Sequence, residues 1–157
     1  DVQKLNLKYK NEYGGFSEDG KEYIICVDEN IPSVWSNILS NENFGTIVTQ
    51  NLGGFTWYKN SRLNRLSSWN NSPNMDIPSE IIYVKNRETE EYWSLSANVN
   101  KENQEFYIRY GFGYAVLKTI KNEVIQELET FVAKDDKIKV NILKFNNTSS
   151  EKKKFNC

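Results

Sequence analysis

The sequence predicts an all-β protein, built either as an antiparallel sandwich or as a barrel. Short segments of strand-forming residues, about ten in number, recur at hairpin-like spacing with Gly, Asn and Asp turn signals between them. In several segments apolar and polar residues alternate, which is the pattern of a half-buried strand. Neither an internal repeat nor a linker divides the 157 residues, so we expect residues 1–157 to form a single domain.

Strands and turns alternate from the beginning of the chain. Leu5, Leu7 and Tyr9 alternate with polar residues, which indicates a short strand. Gly20 ends a turn between two strand-like runs, and this is a hairpin signal because glycine readily adopts positive φ. Residues 34–39 fit either a strand or a short helical turn. The further strands predicted here are residues 13–17, 21–27, 44–50 and 55–58.

The second half of the chain continues in the same way. Residues 123–133 also fit helical spacing, but Val124, Leu128 and Val132 share one parity, which favours a strand. Residues 155–157 begin to resemble one more strand. The other strands predicted here are residues 80–85, 92–97, 105–110, 115–120 and 138–142, with a long irregular loop at residues 70–79.

Charge and composition narrow the classes of partner. The net charge is −1, from 20 basic and 21 acidic side chains, which argues against a nucleic acid held by bulk electrostatics. A neutral ligand such as a sugar stays compatible with that balance. Aromatic residues make up 13% of the chain, and disordered chains are poor in them, so we expect a folded protein.

The two cysteines and the absence of long apolar runs indicate where in the cell the protein is expected. Cys26 and Cys157 form no CxxC motif, and the second is the last residue, so we expect reduced thiols and a cytoplasmic protein. No run of 18 apolar residues occurs, and we expect no membrane contact from this segment. Because the chain begins with Asp1, we expect it to be a fragment of a larger polypeptide.

Catalytic and metal-binding motifs are missing from the sequence. The chain has no histidine, which excludes Ser-His-Asp and Cys-His catalysis and most zinc sites. Two pairs of carboxylates, at residues 18–19 and 135–136, are sequence neighbours that point to opposite faces of a strand and so form no shared acid–base site. We therefore predict no catalytic residue, no metal and no cofactor for this chain.

Residues 53–69, GGFTWYKNSRLNRLSSW, are the stretch that suits a functional surface. Strand-forming aromatics run directly into a loop rich in Arg and Asn. Sugar sites pair flat aromatic faces with planar polar side chains, but Trp, Tyr and Arg are also the anchors of protein interfaces, and the tryptophans could instead belong to the core. The candidate residues for carbohydrate or interface contact are Trp57, Tyr58, Asn60, Arg62, Asn64, Arg65, Trp69 and Asn70.

Several blocks in one order resemble a known family. They are NEYGGFSEDGKEY at residues 11–23, PSVWSN at 32–37, NFG at 43–45, GGFTW through NSRLNRL at 53–66, WNN at 69–71, Asp76 to Tyr83, and YWS at 92–94. The chain resembles the N-terminal β-sandwich domain of glycoside hydrolase family 94, which also occurs in the C-terminal part of cyclic β-1,2-glucan synthases. It looks more similar to the β-1,2-glucan branch than to the cellobiose phosphorylases.

The resemblance implies a fold and a role. The fold would be a large antiparallel two-sheet β-sandwich, the galactose-mutarotase-like supersandwich. In such proteins the sandwich is followed by a helical linker and an (α/α)₆ barrel, which carries the general acid and binds inorganic phosphate. This chain would then be a non-catalytic piece of a glycoside phosphorylase or glycosyltransferase. Its implied partners are its own downstream barrel, an oligo- or polysaccharide β-glucan and a second subunit in a homodimer. An independent carbohydrate-binding module for β-glucans is the alternative.

Overall fold

The computed structural model describes residues 5–27, 31–70, 75–97, 99 and 104–157. Within these ranges the chain forms strands, turns and irregular segments, and every strand pairing is antiparallel. The strands are β1 (Gly14–Phe16), β2 (Tyr23–Cys26), β3 (Ser36–Ser40), β4 (Phe44–Thr49), β5 (Thr56–Tyr58), β6 (Tyr83–Asn86), β7 (Tyr92–Ser94), β8 (Glu105–Gly111), β9 (Tyr114–Lys121), β10 (Val124–Val132), β11 (Lys139–Asn147) and β12 (Phe155–Asn156).

One layer is a six-stranded sheet with the order β1-β2-β8-β9-β10-β11. Its last four strands form a meander of hairpins. The β9–β10 turn places Asn122 and Glu123 at φ values of 50° and 60°. Two successive positive φ values are typical of the two-residue turns whose twist matches that of paired strands. At the β8–β9 turn a glycine, Gly113, takes the positive φ.

The second layer consists of two three-stranded sheets, β12-β6-β7 and β3-β4-β5, which cover one face of the six-stranded sheet. Under β12-β6-β7, Trp93 and Val84 pack against Leu117 and Leu128 of the large sheet. A smaller cluster under the other sheet joins Leu39 and Val48 to Ala115. The all-β sandwich is confirmed, and the barrel alternative is excluded because the sheets have open edges.

The alternation of buried and exposed residues predicted for residues 123–133 is confirmed in β10. Val124, Gln126, Leu128 and Thr130 are buried, and the residues between them are partly exposed. Since strand residues two apart share a face, this pattern arises only when one face lies on the core. A helix in residues 123–133 is therefore excluded. Residues 34–39, for which a strand and a helical turn were both open, include all of β3 (Ser36–Ser40) except its last residue.

The strand predicted at residues 5–9 is wrong. Only Lys8 joins the sheet, through an isolated antiparallel bridge to Phe16. Tyr9 has a φ of 49° and is almost fully exposed, so the chain turns away before a longer ladder can form. At the other end, β12 confirms the strand that begins at residue 155.

Part of the predicted loop at residues 70–79, including Asn71 of the WNN block, lies outside the described residues. Across the described ranges no helix is long and apolar enough to cross a membrane. Cys26 is buried and Cys157 is exposed, and within the described residues neither forms a disulfide.

Candidate functional site

The candidate residues lie on and beside a hairpin that extends the β3-β4-β5 sheet. Strand β5 pairs with β4 on one side, and residues 64–66 return along its other side. The N–H of Tyr58 donates to the carbonyl of Asn64 at 3.1 Å, and the N–H of Leu66 donates to the carbonyl of Thr56 at 2.8 Å. We call residues 56–66 the β5 hairpin.

The tip of the β5 hairpin is fixed by Asn60. Its Oδ1 accepts hydrogen bonds from the backbone N–H groups of Arg62 and Leu63 at 2.9 and 2.8 Å. Its carbonyl accepts another from the N–H of Asn64 at 3.0 Å. Asparagine favours such turns because its short side chain can replace a backbone acceptor. The Asn60 side-chain oxygen therefore stabilises the loop conformation.

The Trp57 ring packs on a glycine of the neighbouring strand. A Cβ built on Gly45, its register partner on β4, would lie 2.4 Å from Cζ2 of the Trp57 indole. The ring thus lies against bare backbone and is half-buried, neither sealed in the core nor fully free. The NFG and GGFTW blocks, separate in sequence, meet at this contact.

Arg65 stacks on two aromatic rings. Its guanidinium carbon lies 4.8 Å from the ring centroid of Phe55 and 4.8 Å from that of Trp69, and the two rings are 4.9 Å apart. The Nε of Arg65 also donates to the carbonyl of Ser61 at 3.0 Å. Phe55 in turn contacts Trp57 at 5.5 Å. An arginine held over aromatic faces gains cation–π attraction and loses little mobility on binding.

Tyr58 lies apart from this cluster, because neighbouring strand residues point to opposite faces. The ammonium group of Lys137, from the loop between β10 and β11, lies 4.8 Å from its ring centroid, and that of Lys59 lies 5.4 Å away. A hydrogen bond with Lys137 lowers the pKa of the Tyr58 hydroxyl from its usual value. This face is cationic and aromatic.

Two leucines that the sequence reading did not select are among the most exposed apolar side chains of this region. Leu63 is 82% exposed and Leu66 is 58% exposed, beside Trp69 at 38%. Both leucines occur in an otherwise polar loop, and that contrast was the available signal. Arg62, Asn64 and Asn70 are exposed in the same region.

Behind the hairpin, Asp76 anchors the turn that leads into β5. Its carboxylate accepts a hydrogen bond from the Thr49 hydroxyl at 2.7 Å and one from the Asn51 N–H at 3.2 Å. Burial raises the pKa of the Asp76 carboxyl above its usual value. A Cβ on Gly53 would lie 2.3 Å from this carboxylate, so glycine is required there.

The eight candidate residues therefore form three groups and not one flat platform. Trp57, Arg65 and Trp69 make an aromatic and cationic cluster, and Tyr58 lies with Lys137 on the other face. The tip and flank hold the exposed polar members Asn60, Arg62, Asn64 and Asn70. Among the side chains that the structure describes, no three His, Cys, Asp or Glu residues are grouped to hold a metal ion.

The stacked antiparallel sheets and the exposed hairpin define a β-sandwich domain with an ordered, exposed hairpin at one sheet. A family model of the glycosyl hydrolase 94 supersandwich domain matches residues 21–157. The chain belongs to this family.

Curated relatives come from both phosphorylases and a synthase. The chain is 29% identical over 143 residues to the N,N'-diacetylchitobiose phosphorylase of Vibrio furnissii, and 27% identical over 143 residues to that of Vibrio proteolyticus; each match covers 89% of the chain. It is 31% identical over 153 residues, 96% of the chain, to the cyclic beta-(1,2)-glucan synthase NdvB of Rhizobium meliloti. The chain spans 18% of the length of each phosphorylase and 5% of the synthase.

Proposed function

We propose that this chain is the non-catalytic sandwich domain of a glycan phosphorylase or a cyclic β-1,2-glucan synthase, and that its β5 hairpin packs on the catalytic barrel of the same polypeptide. The observation that carries the proposal is the hairpin itself. It has a fixed backbone, and it exposes Leu63 and Leu66 next to Arg62, with Trp69 partly exposed just after it. Membership of the supersandwich family, with relatives named as phosphorylases and a synthase, supports the enzyme class.

The hairpin has the composition of an interface centre. Trp and Arg dominate the binding energy of protein interfaces, and exposed leucines add apolar area to bury. Its rigidity matters as much, because ordering a loop on binding costs free energy that a preformed loop does not lose. Asn60 holds the tip and Arg65 lies over the two rings of Phe55 and Trp69, so both parts are ordered before contact.

The finer parts of the proposal concern the sugar. Arg62 and Asn64 at the exposed tip would contribute to the rim of the sugar site once the barrel covers the leucines. The same surface could meet a second subunit in place of the barrel. The substrate of the parent is a β-linked glycan, with inorganic phosphate as co-substrate if the parent is a phosphorylase. The similarity to the β-1,2-glucan branch and the cytoplasmic location both stay predictions.

The test compares two exposed apolar residues of the parent enzyme. Leu63→Asp introduces a charge at the centre of the proposed contact. Phe112→Asp introduces the same charge at the β8–β9 turn of the other layer, where the aromatic ring is almost fully exposed. We expect the first variant to lower activity and the melting temperature of the parent, and the second to leave both unchanged. Equal behaviour of the two variants would contradict the proposal.

The isolated chain tests the alternative, an independent carbohydrate-binding module, for which the partly exposed ring of Trp69 is the supporting observation. A module would change its tryptophan fluorescence when titrated with β-1,2- or β-1,4-glucan, and Trp69→Ala would abolish the change. A scaffold that needs the barrel would show no change at millimolar glucan.

A further inference from the structure

Two lysines from distant parts of the chain converge on one tyrosine ring. The ammonium group of Lys137, in the loop between β10 and β11, lies 4.8 Å from the ring centroid of Tyr58, and that of Lys59 lies 5.4 Å from it. In the described part of the chain neither ammonium group forms an ion pair with a carboxylate. Each ammonium group carries three N–H donors, and contact with a ring leaves most of them for another acceptor.

The loop that carries the first lysine is fixed by Asn41, in the turn between β3 and β4. The Nδ2 of Asn41 donates to the carbonyls of Ala133 and Asp136, each at 2.8 Å. Its Oδ1 accepts hydrogen bonds from the N–H groups of Asn43 and Phe44 at 2.9 and 2.8 Å. One side chain therefore joins the β3–β4 turn to the β10–β11 loop, and the two loops are held together without a ligand.

The second lysine is held by its backbone. The N–H of Lys59 donates to the carbonyl of Asn43 at 2.6 Å, and the φ of Lys59 is 61°. A residue other than glycine seldom adopts this left-handed conformation, and it persists where the surrounding structure imposes it. The chain leaves β5 directly after Tyr58 in this way, with the ammonium group of Lys59 beside the ring.

The electrostatic potential at the Tyr58 hydroxyl is positive. A hydrogen bond with Lys137 lowers the pKa of the Tyr58 hydroxyl, and the charges of Lys137 and Lys59 lower it further. The carboxylates of residues 42, 135 and 136 are near in sequence, but they form no ion pair with either lysine. The two charges that stabilise a phenolate here would equally stabilise an anion bound at the hydroxyl.

We propose that Tyr58, Lys59 and Lys137 form a binding site for a doubly charged oxyanion, either inorganic phosphate or a phosphate monoester. The two ammonium groups donate to the oxygens of the anion, and the phenol O–H turns to donate a third hydrogen bond. Hydrogen bonds between charged groups are among the strongest in proteins. Three donors and two positive charges match the three terminal oxygens and two charges of a phosphoryl group, whereas a carboxylate offers two oxygens and one charge.

This site is separate from the contact surface proposed above. Tyr58 lies on the face of β5 opposite Trp57 and Arg65, and its second lysine comes from the β10–β11 loop. The anion site therefore does not depend on the proposed function. Loss of activity in a Leu63→Asp parent and loss of anion binding in the chain are measured separately, so either proposal can fail alone.

Titration of the purified chain with inorganic phosphate tests the site, at constant ionic strength and at a pH where phosphate is a dianion. NMR spectra of chains with isotope-labelled tyrosine rings follow each hydroxyl, and the resonance missing from Tyr58→Phe identifies that of Tyr58. We expect a saturable shift of this resonance at millimolar phosphate, and none with chloride. Saturation should also raise the pKa of the Tyr58 hydroxyl, because the anion neutralises the two lysines that lower it.

A matched pair of lysine variants separates the site from net charge. Lys137→Gln removes an ammonium group from the ring, and Lys134→Gln removes the same charge from an exposed position of the same loop. We expect Lys137→Gln to raise the dissociation constant for phosphate by about tenfold or more, the loss expected for one charged hydrogen bond. Lys134→Gln should change it by less than about twofold, the effect of an exposed charge outside the site. The spread of the tyrosine resonances shows that both variants are folded.

Methyl phosphate, titrated in the same way, distinguishes the two sources of the anion. Equal or tighter binding of methyl phosphate assigns the site to a phosphate monoester, and binding of inorganic phosphate alone assigns it to the free ion. Three results would overturn the proposal. They are a Tyr58 resonance that neither phosphate shifts, an equal loss of binding in the two lysine variants, and a response to acetate as strong as that to phosphate, since the lysines would then receive a carboxylate of another protein segment.

Discussion

The indole N–H of Trp93 donates a 2.8 Å hydrogen bond to Oε1 of Gln126 inside the sandwich. Trp93 belongs to the second layer and Gln126 to the six-stranded sheet, and both side chains are buried. A buried indole N–H without an acceptor would lose its hydration and gain nothing in return. This bond therefore links the two layers at the centre of the apolar core.

Replacing Gln126 by methionine tests that link. Gln126→Met keeps the volume and removes the acceptor, which leaves a buried donor unpaired, but it also removes the buried Nε2 of Gln126, which has no partner in the described ranges. We therefore expect the free energy of unfolding to fall by about 1 kcal/mol, the lower end of the cost of an unpaired buried donor. Urea unfolding, followed by tryptophan fluorescence, measures the change. Thr119→Val is the control. The buried Thr119 hydroxyl has no hydrogen-bond partner in the described ranges, so its removal should be neutral or stabilising. An unchanged stability for Gln126→Met would contradict the assignment.

The second prediction is that a side chain at position 45 destabilises the protein. Gly45→Ala drives a Cβ into the Trp57 indole, where the gap is 2.4 Å, and a ring packed on a strand cannot retreat without moving the β5 hairpin. We expect a loss of about 1–3 kcal/mol, the range for overpacking, together with a changed tryptophan emission spectrum. A double-mutant cycle gives the control, because in a Trp57→Ala background the same glycine substitution should cost much less. Equal costs in both backgrounds would show that the ring does not set the requirement for glycine.

The sequence predicted the parts of this fold that depend on local pattern. The faces of β10 followed from alternation alone, because burial of one face imposes a period of two. Alternation is necessary for a half-buried strand but not sufficient. Leu5, Leu7 and Tyr9 show the pattern, yet the positive φ of Tyr9 ends the pairing after one bridge.

The sequence predicted which residues form the candidate site, but it did not predict how their side chains are arranged. Residues 53–69 were selected by composition, and the structure exposes most of their polar members. The separation of Tyr58 from Trp57 follows from strand alternation and could have been inferred. The stacking of Arg65 over both Phe55 and Trp69 could not, because it depends on how the segment after the hairpin returns to the sheet. The same is true of Lys137, which reaches Tyr58 from a loop far along the chain.

Asp76 gives a pH-dependent prediction. Burial raises its folded-state pKa above the ordinary value of 3.8, so the native state binds this proton more tightly than the unfolded state. Its contribution to stability is therefore fully present below about pH 3.8 and is lost as pH rises through the raised folded-state pKa. Asp76→Asn removes the titration, so the free energy of unfolding should fall less across this window than in the original chain. Urea unfolding at a series of pH values measures it, and parallel curves for the two proteins would contradict the prediction.

Substitutions of Arg65 show whether its stacking on the rings or its charge stabilises the candidate site. Arg65→Ala uncovers the rings of Phe55 and Trp69 and should lower the free energy of unfolding by about 1–2 kcal/mol, the sum expected for two partly exposed cation–π contacts. Arg65→Lys keeps the charge but loses the planar stack, so it should recover only part of that loss. Arg62→Ala removes the same charge from the exposed hairpin tip and should leave stability within about 0.5 kcal/mol. Thermal unfolding of the three variants distinguishes the explanations: if Arg65→Ala and Arg62→Ala behave alike, only net charge matters here. If Arg65→Lys fully restores stability, the planar guanidinium is not what holds Trp69 beside the hairpin.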